Sequence, residues 1–150
     1  MATSSTLTVR IHIDGVREVL AALRALPKDA NVELRKAALD LSKTIAAEAR
    51  QAGINEGRQA SLVATTVRAA RDRLPVVVAG GNRKLGSNRA PAYKLLFGSE
   101  FGATRLKQYK PHVGRGSYWF FQSIDDNRVQ IQKRWLDAAD EIIRKYSAGA

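Results

Sequence analysis

Residues 7–13 alternate between apolar and polar side chains: Leu7, Val9, Ile11 and Ile13 are interleaved with Thr8, Arg10 and His12. A period of two places the four apolar side chains on one face and predicts a half-buried strand, closed by Asp14-Gly15. The spacing then changes. Val16, Val19, Leu20, Leu23 and Leu26 recur three and four residues apart, which predicts a helix with Asp14 as its cap and Pro27 at its end. A second, longer helix is expected over residues 30–52, with Leu34, Ala38, Leu41, Ile45, Ala49 and Ala52 on one face and Gly53 as its stop. The alanines Ala37, Ala38, Ala46, Ala47 and Ala49 favour helix and let a neighbouring element come close.

The middle of the chain is less regular. Residues 57–64 have room for a turn or two of helix. Residues 65–71 and 74–79 read as two strands around a turn at Asp72-Arg73. Pro75 has no amide hydrogen, so the second strand lies at a sheet edge or carries the proline among its first residues. Residues 80–90, rich in glycine, asparagine and basic side chains, read as a loop. A short helix is expected over 91–97 and mostly irregular structure over 98–116. Regularity returns at Ser117, a candidate N-cap. Tyr118-Trp119-Phe120-Phe121 comes next, and Ile124, Ile131, Trp135, Ala138, Ile142 and Tyr146 then keep helical rhythm. Arg144 and Lys145 suit the negative end of that helix dipole, and Asp125-Asp126-Asn127 is where it would divide into a short and a long segment. The expected fold is α+β: a small mixed or antiparallel sheet packed with two N-terminal helices and a long C-terminal helix. Residues 1–150 form one domain, with a mobile basic loop region at about 80–116.

Length and composition agree with one folded domain: 150 residues, 45% of them apolar and 26% charged. The absence of cysteine excludes disulfides, thiolate nucleophiles and thiolate metal sites together. No basic, then apolar, leader opens the chain, and its longest apolar run, residues 74–79, is too short to cross a bilayer, so a soluble protein is expected. Charge changes the picture more. Of the net charge of +11, about +10 falls between Arg58 and Arg115, where twelve basic residues stand beside only Asp72 and Glu100. The two ends are close to neutral. Such confinement predicts one surface facing a polyanion or an acidic partner, with Arg83, Lys84, Arg89, Lys94, Arg105, Lys107, Lys110 and Arg115 as its contact residues.

Catalytic chemistry finds little support. His12 and His112 belong to no metal-ligand motif. The loop Gly81-Asn82-Arg83-Lys84-Leu85-Gly86-Ser87 lacks a lysine directly after its second glycine and is soon followed by Pro91, so it is no phosphate loop. What remains for it is contact with something negative, or plain solvation. Asp125, Asp126, Asp137, Asp140 and Glu141 share helix faces with Arg and Lys, where i,i+3 and i,i+4 pairing accounts for them. No serine or threonine has a convincing His–Asp partner, so neither an enzyme nor a cofactor is expected. Four consecutive aromatics point in different directions around a helix. One or two of Tyr118, Trp119, Phe120 and Phe121 should enter the core, and the remainder should form a subunit interface. Stacking on bases is the alternative, but the segment from 118 to 132 is not basic.

The order of these features resembles the tail-completion, or neck, proteins of long-tailed bacteriophages. The strand with Ile13-Asp14-Gly15 and the helix carrying Val16-Arg17-Glu18-Val19-Leu20, Leu23 and Leu26 are similar to that family's opening elements. The alanine-rich second helix and the Gly57…Ser61-Leu62 stretch resemble the family's next portion. The sharpest likeness is Tyr93-Lys94-Leu95-Leu96-Phe97-Gly98-Ser99-Glu100-Phe101-Gly102, similar to a short hydrophobic segment ending in Glu–Phe–Gly, with Tyr93, Phe97, Glu100, Phe101 and Gly102 as the motif positions. A loop and a long C-terminal helix complete the order. The resemblance implies a structural virion protein of the head–tail connector, without enzymatic activity or cofactor, assembled in the host cytoplasm and residing at the neck. Its implied partners are itself in a six-fold or twelve-fold ring, other connector, tail-terminator or tail-tube proteins, and packaged DNA; no membrane is implied. The alternative read from charge alone is a double-stranded DNA-binding accessory protein that uses the basic middle segment.

Overall fold

A computed structural model of the chain describes residues 6–104, 108–110 and 117–148. In chain order the elements are β1 (Thr6–Arg10), α1 (Val16–Arg24), α2 (Lys28–Glu56), α3 (Arg58–Ala64), β2 (Arg68–Ala70), β3 (Val76–Gly80), β4 (Lys84–Leu85), β5 (Ala90–Pro91), α4 (Ala92–Phe101), α5 (Phe120–Asp126) and α6 (Arg128–Ala148). The fold is α+β. A three-stranded antiparallel sheet has the order β1-β3-β2, and β4 pairs with β5 in a separate two-stranded ribbon.

The sequence of β3 explains its central place. Val76-Val77-Val78-Ala79-Gly80 is buried at every position, as a strand covered on both faces requires. Pro75 stands immediately before it. Of the two placements open to that proline the fold takes the second: the ladder uses only its carbonyl, which accepts the Ile11 N–H at 3.0 Å. β1 lies at an edge, with Val9 opposite Val77 and Arg10 opposite Val76.

α2 is the spine of the molecule. Its buried stripe runs Ala30, Leu34, Ala38, Ser42, Ile45, Ala46, Ala49 and Gly53. Ser42 is buried but satisfied: its hydroxyl donates to the Ala38 carbonyl at 2.8 Å and accepts the Val76 N–H at 2.9 Å, tying helix to sheet. The expected stop at Gly53 does not occur; the helix continues to Glu56 and ends at Gly57. Gly53 is there for space. A Cβ at that position would lie 2.9 Å from the Ala64 Cβ and 2.9 Å from the Trp119 ring, so the small residue admits α3 and the aromatic segment against the helix. The cap of α1 is also corrected: the N-cap is Gly15 with no side-chain bond, while the Asp14 carboxylate lies 3.1 Å from His12 Nε2. α1 finishes at Arg24, and Pro27 directly precedes α2.

The core has two halves along α2. In one, α1 and α6 pack on its first part through Ile13, Leu23, Leu34, Ala38, Trp135 and Ile142. Trp135 is 1% exposed, and its indole N–H donates to the Arg73 carbonyl at 2.8 Å. At the rim of this half, the Glu33 carboxylate accepts from Lys145 Nζ (2.7 Å) and Tyr146 Oη (2.8 Å), joining α2 to α6. In the other half, the sheet, α3, α4 and α5 close over Ile45, Ala49, Val63, Val77, Leu96 and Phe120.

Part of the region expected to be loop is regular. Residues 84–91 form the β4–β5 ribbon, and α4 continues four residues past its expected end, to Phe101. The division of the C-terminal helix falls at Asn127, whose side-chain amide donates to the Ser123 carbonyl at 2.8 Å. Among the described residues, no helix is long and apolar enough to cross a membrane.

Candidate functional site

The basic residues of the ribbon are held out by a short hairpin whose root is buried. Lys84 pairs with Pro91 and Leu85 with Ala90, and Leu85 turns into the core. The turn between them needs left-handed backbone at Gly86 (φ 72) and at Arg89 (φ 52), and the Arg89 N–H closes it on the Gly86 carbonyl at 3.2 Å. The hairpin is also tied to α4. The Ala92 N–H donates to the Arg83 carbonyl (2.8 Å) and the Tyr93 N–H to the Gly81 carbonyl (2.9 Å). These bonds satisfy amides at the helix start that would otherwise lack partners. Arg83, Lys84 and Arg89 on the hairpin and Lys94 on the first turn of α4 are all exposed. Among the described residues, none of the four takes part in an ion pair. The fold therefore leaves these four sequence-predicted contact residues exposed on the hairpin and on the helix turn bonded to it.

Lys110 is used differently. It pairs with Glu56, whose side chain is only 17% exposed, and its ammonium lies 5.1 Å from the centre of the Tyr118 ring. It fastens the segment at 108–110 to the body, so it does not belong with these four. Arg105, Lys107 and Arg115 lie outside the described residues, as does His112.

The Glu–Phe–Gly segment is a structural joint. Glu100 is fully buried at the last turn of α4, yet both carboxylate oxygens are used. Oε1 accepts the N–H groups of Trp119 (3.0 Å) and Phe120 (2.9 Å), and Oε2 accepts that of Phe121 (2.7 Å). Its own backbone carbonyl takes the Tyr118 N–H at 2.7 Å. Glu100 is thus the cap of α5, supplied from a distant part of the chain, and it neutralises the orphan donors of a helix start with a full negative charge. The expected N-cap, Ser117, sits earlier and accepts the Gln122 N–H at 2.9 Å. Burial pushes the Glu100 carboxyl above its ordinary range; the amides of Phe121, Trp119 and Phe120 and the Ser117 hydroxyl act against that rise. Gly102 then leaves the helix at φ 77, with its N–H on the Gly98 carbonyl at 2.9 Å, and Ser99 accepts the Trp119 indole N–H at 3.1 Å.

Of the four consecutive aromatics, one or two of which are expected in the core, Trp119 and Phe120 are the core residues and so leave the set offered as a subunit interface. Trp119 is 2% exposed and Phe120 0%, because Glu100 draws their backbone inward and Gly53 opens space for the indole. Neither can meet a partner without unfolding, so only Tyr118 and Phe121 remain for that role. Phe121 extends a surface stack: Phe97 and Phe101 have ring centres 6.2 Å apart, and Phe101 and Phe121 5.9 Å. Phe97 is exposed and Tyr93 half-buried, so the motif positions divide between a buried clamp and an aromatic edge. Sequence reasoning missed the capping role of Glu100. A signal was present, since Glu100 stands four residues after Leu96 and eight after Ala92, on the buried stripe of α4.

Chemically, this arrangement is suited to binding rather than to bond-making. The hairpin offers point charges and a guanidinium fork to phosphate or carboxylate groups, and the Phe97–Phe101–Phe121 edge offers apolar area. Among the described residues, no group of three His, Cys, Asp or Glu side chains could hold a metal ion. No protein-family model matches the chain, and no curated protein and no solved structure is significantly similar to it.

Proposed function

We propose that this chain is a structural subunit of the head–tail connector of a long-tailed bacteriophage, a neck or tail-completion protein that works by ring assembly and docking between capsid and tail. It performs no catalysis in this reading. The observation that carries it is the anchored hairpin, which holds Arg83, Lys84 and Arg89 in solvent next to Lys94, with no carboxylate paired to them among the described residues. Long cationic side chains held open in this way suit a polyanionic or acidic surface that arrives from outside. The likeness of element order and of the Glu100-Phe101-Gly102 segment to the neck family supplies the identity of that setting. Gly102 at φ 77 and the triple acceptance by Glu100 give that segment a physical reason to be as it is.

The test is assembly. Reversing Arg83, Lys84 and Arg89 to Glu is expected to leave the fold intact and to stop incorporation into particles. Electron microscopy of the purified protein, alone and with tail tubes, is expected to show discrete rings for the wild type. Normal particles from the variant would remove the hairpin from the mechanism.

The same open cations favour one second reading, a double-stranded DNA-binding accessory protein. Its mark is affinity that falls steeply between low and moderate salt, whereas a connector subunit binds free DNA weakly at most.

A further inference from the structure

The outer side of β1 carries backbone groups that point away from the sheet. The Ile11 N–H turns towards β3 and donates to the Pro75 carbonyl. Backbone direction alternates along an antiparallel strand, so Val9 and Leu7 also turn to β3, while Thr8 and Arg10 direct their N–H and C=O outward. Among the described residues, no strand covers that side. A groove of about 730 Å³ runs beside the edge, with walls from Val9, Ile11, Phe121 and Ile124 and a rim that carries both signs of charge, Arg128 and Asp125 among them. The Phe97–Phe101–Phe121 stack leads into it. An edge of this kind, with no proline or lysine in the strand to blunt it, is a template for another strand.

We propose that the outer edge of β1 is a contact between two copies of this chain, paired antiparallel about a two-fold axis at Thr8, so that two three-stranded sheets become one of six strands. Symmetry, register and rim charge are each compatible with a second copy. A two-fold axis perpendicular to the sheet keeps equivalent faces on the same side, so the partner's Leu7 and Val9 continue the apolar face of β1 and reach the groove. With the axis at Thr8, Leu7 falls opposite Val9 and Arg10 opposite Thr6; no like charges face each other, as they would with the axis at Arg10. The mixed rim also suits an identical surface, whose acids can meet its bases, and opposes a polyanion, which would meet Asp125 and Asp126. The contact rests on the sheet edge and the groove beside it and is independent of the connector reading.

Thr8 is exposed and its backbone faces outward, so its side chain can be changed without touching the β1–β3 ladder. Sedimentation equilibrium of the full chain, of Thr8→Lys, of Thr8→Glu and of an equimolar mixture of the two variants tests the proposal. The wild type is expected to be a dimer. Each variant should dissociate at least about five-fold more readily while keeping its circular dichroism spectrum, and the mixture should restore the dimer. The chain has no cysteine, so Thr8→Cys gives a second measurement. The axis would bring two Thr8 Cα atoms to about 5.5 Å, within disulfide reach. Mild oxidation should cross-link Thr8→Cys far faster than the exposed control Thr65→Cys. A monomeric wild type, a dimer or ring indifferent to the Thr8 variants, a mixture that fails to reassociate, or equal cross-linking at both positions would each overturn the proposal. A ring indifferent to Thr8 would do so while leaving the connector reading standing.

Discussion

Glu100 and Phe121 lie 21 positions apart, and the carboxylate of the first accepts the backbone N–H of the second at 2.7 Å inside the protein. With the bonds to Trp119 and Phe120, one buried acid joins the end of α4 to the start of α5. Replacing it with Gln substitutes an amide nitrogen for one acceptor oxygen and leaves a buried donor unmatched. Glu100→Gln is expected to lower stability by about 1–3 kcal/mol at neutral pH, read by denaturant unfolding. The pH dependence has a definite sign. Burial holds the folded-state pKa above the ordinary glutamate value of 4.5, so the native state binds this proton more tightly than the unfolded chain does. The proton-linked part of the Glu100 contribution is therefore fully present below pH 4.5 and is lost as pH rises through the raised value, while the accepted N–H bonds are what the ionised carboxylate retains at neutral pH. That slope should be absent from the Gln variant; an unchanged slope would assign it to another group.

Gly53 offers a test in which the usual sign reverses. Gly→Ala inside a helix ordinarily stabilises by about 1 kcal/mol through propensity. Here the new methyl would meet Ala64 and Trp119 at 2.9 Å. Overpacking of that kind costs about 1–3 kcal/mol, so Gly53→Ala should lower the melting temperature. A raised melting temperature would show that α3 and the indole yield easily.

Trp135 fills the half of the core between α2 and α6 and also satisfies the Arg73 carbonyl. Trp135→Ala should cost about 3–5 kcal/mol in chemical denaturation. An unchanged midpoint would contradict its burial.

The hairpin charges separate the two readings quantitatively. Arg83, Lys84 and Arg89 are exposed, so reversing all three should change stability by only about 0.5 kcal/mol per site. If they contact phosphates, the plot of log affinity for duplex DNA against log salt should become shallower by about 2.7, or about 0.9 for each lost contact. Loss of particle assembly with no change in that slope would favour docking to protein.

Periodicity carried much of the fold. The alternation at 7–13, the helical rhythms that include Leu34 and Trp135, and the break at Asp125-Asp126-Asn127 mark elements that the structure contains, because each bears its own apolar stripe. Where several explanations produce the same residue, local pattern failed. Gly53 reads as a helix stop, yet its role depends on two side chains from elsewhere that would lie within 3 Å of a Cβ at that position. Ser117 reads as the cap of α5 and does take the Gln122 N–H, but the three amides before it are held by a carboxylate from α4. Tyr118-Trp119-Phe120-Phe121 reads as a run that sends one or two rings inward, but which two depends on that same carboxylate, which draws in Trp119 and Phe120.

The chain's own residue order determines which segments are helix or strand and where the positive charge is concentrated, since both depend on neighbours within a few positions. Tertiary packing alone decided which side chains stay in solvent. It put Lys110 against Glu56, sank Glu100 and left Arg83, Lys84 and Arg89 open on a hairpin root held by Leu85. Burial and pairing are set by groups that are remote in sequence, and no local spacing encodes what will fold against them.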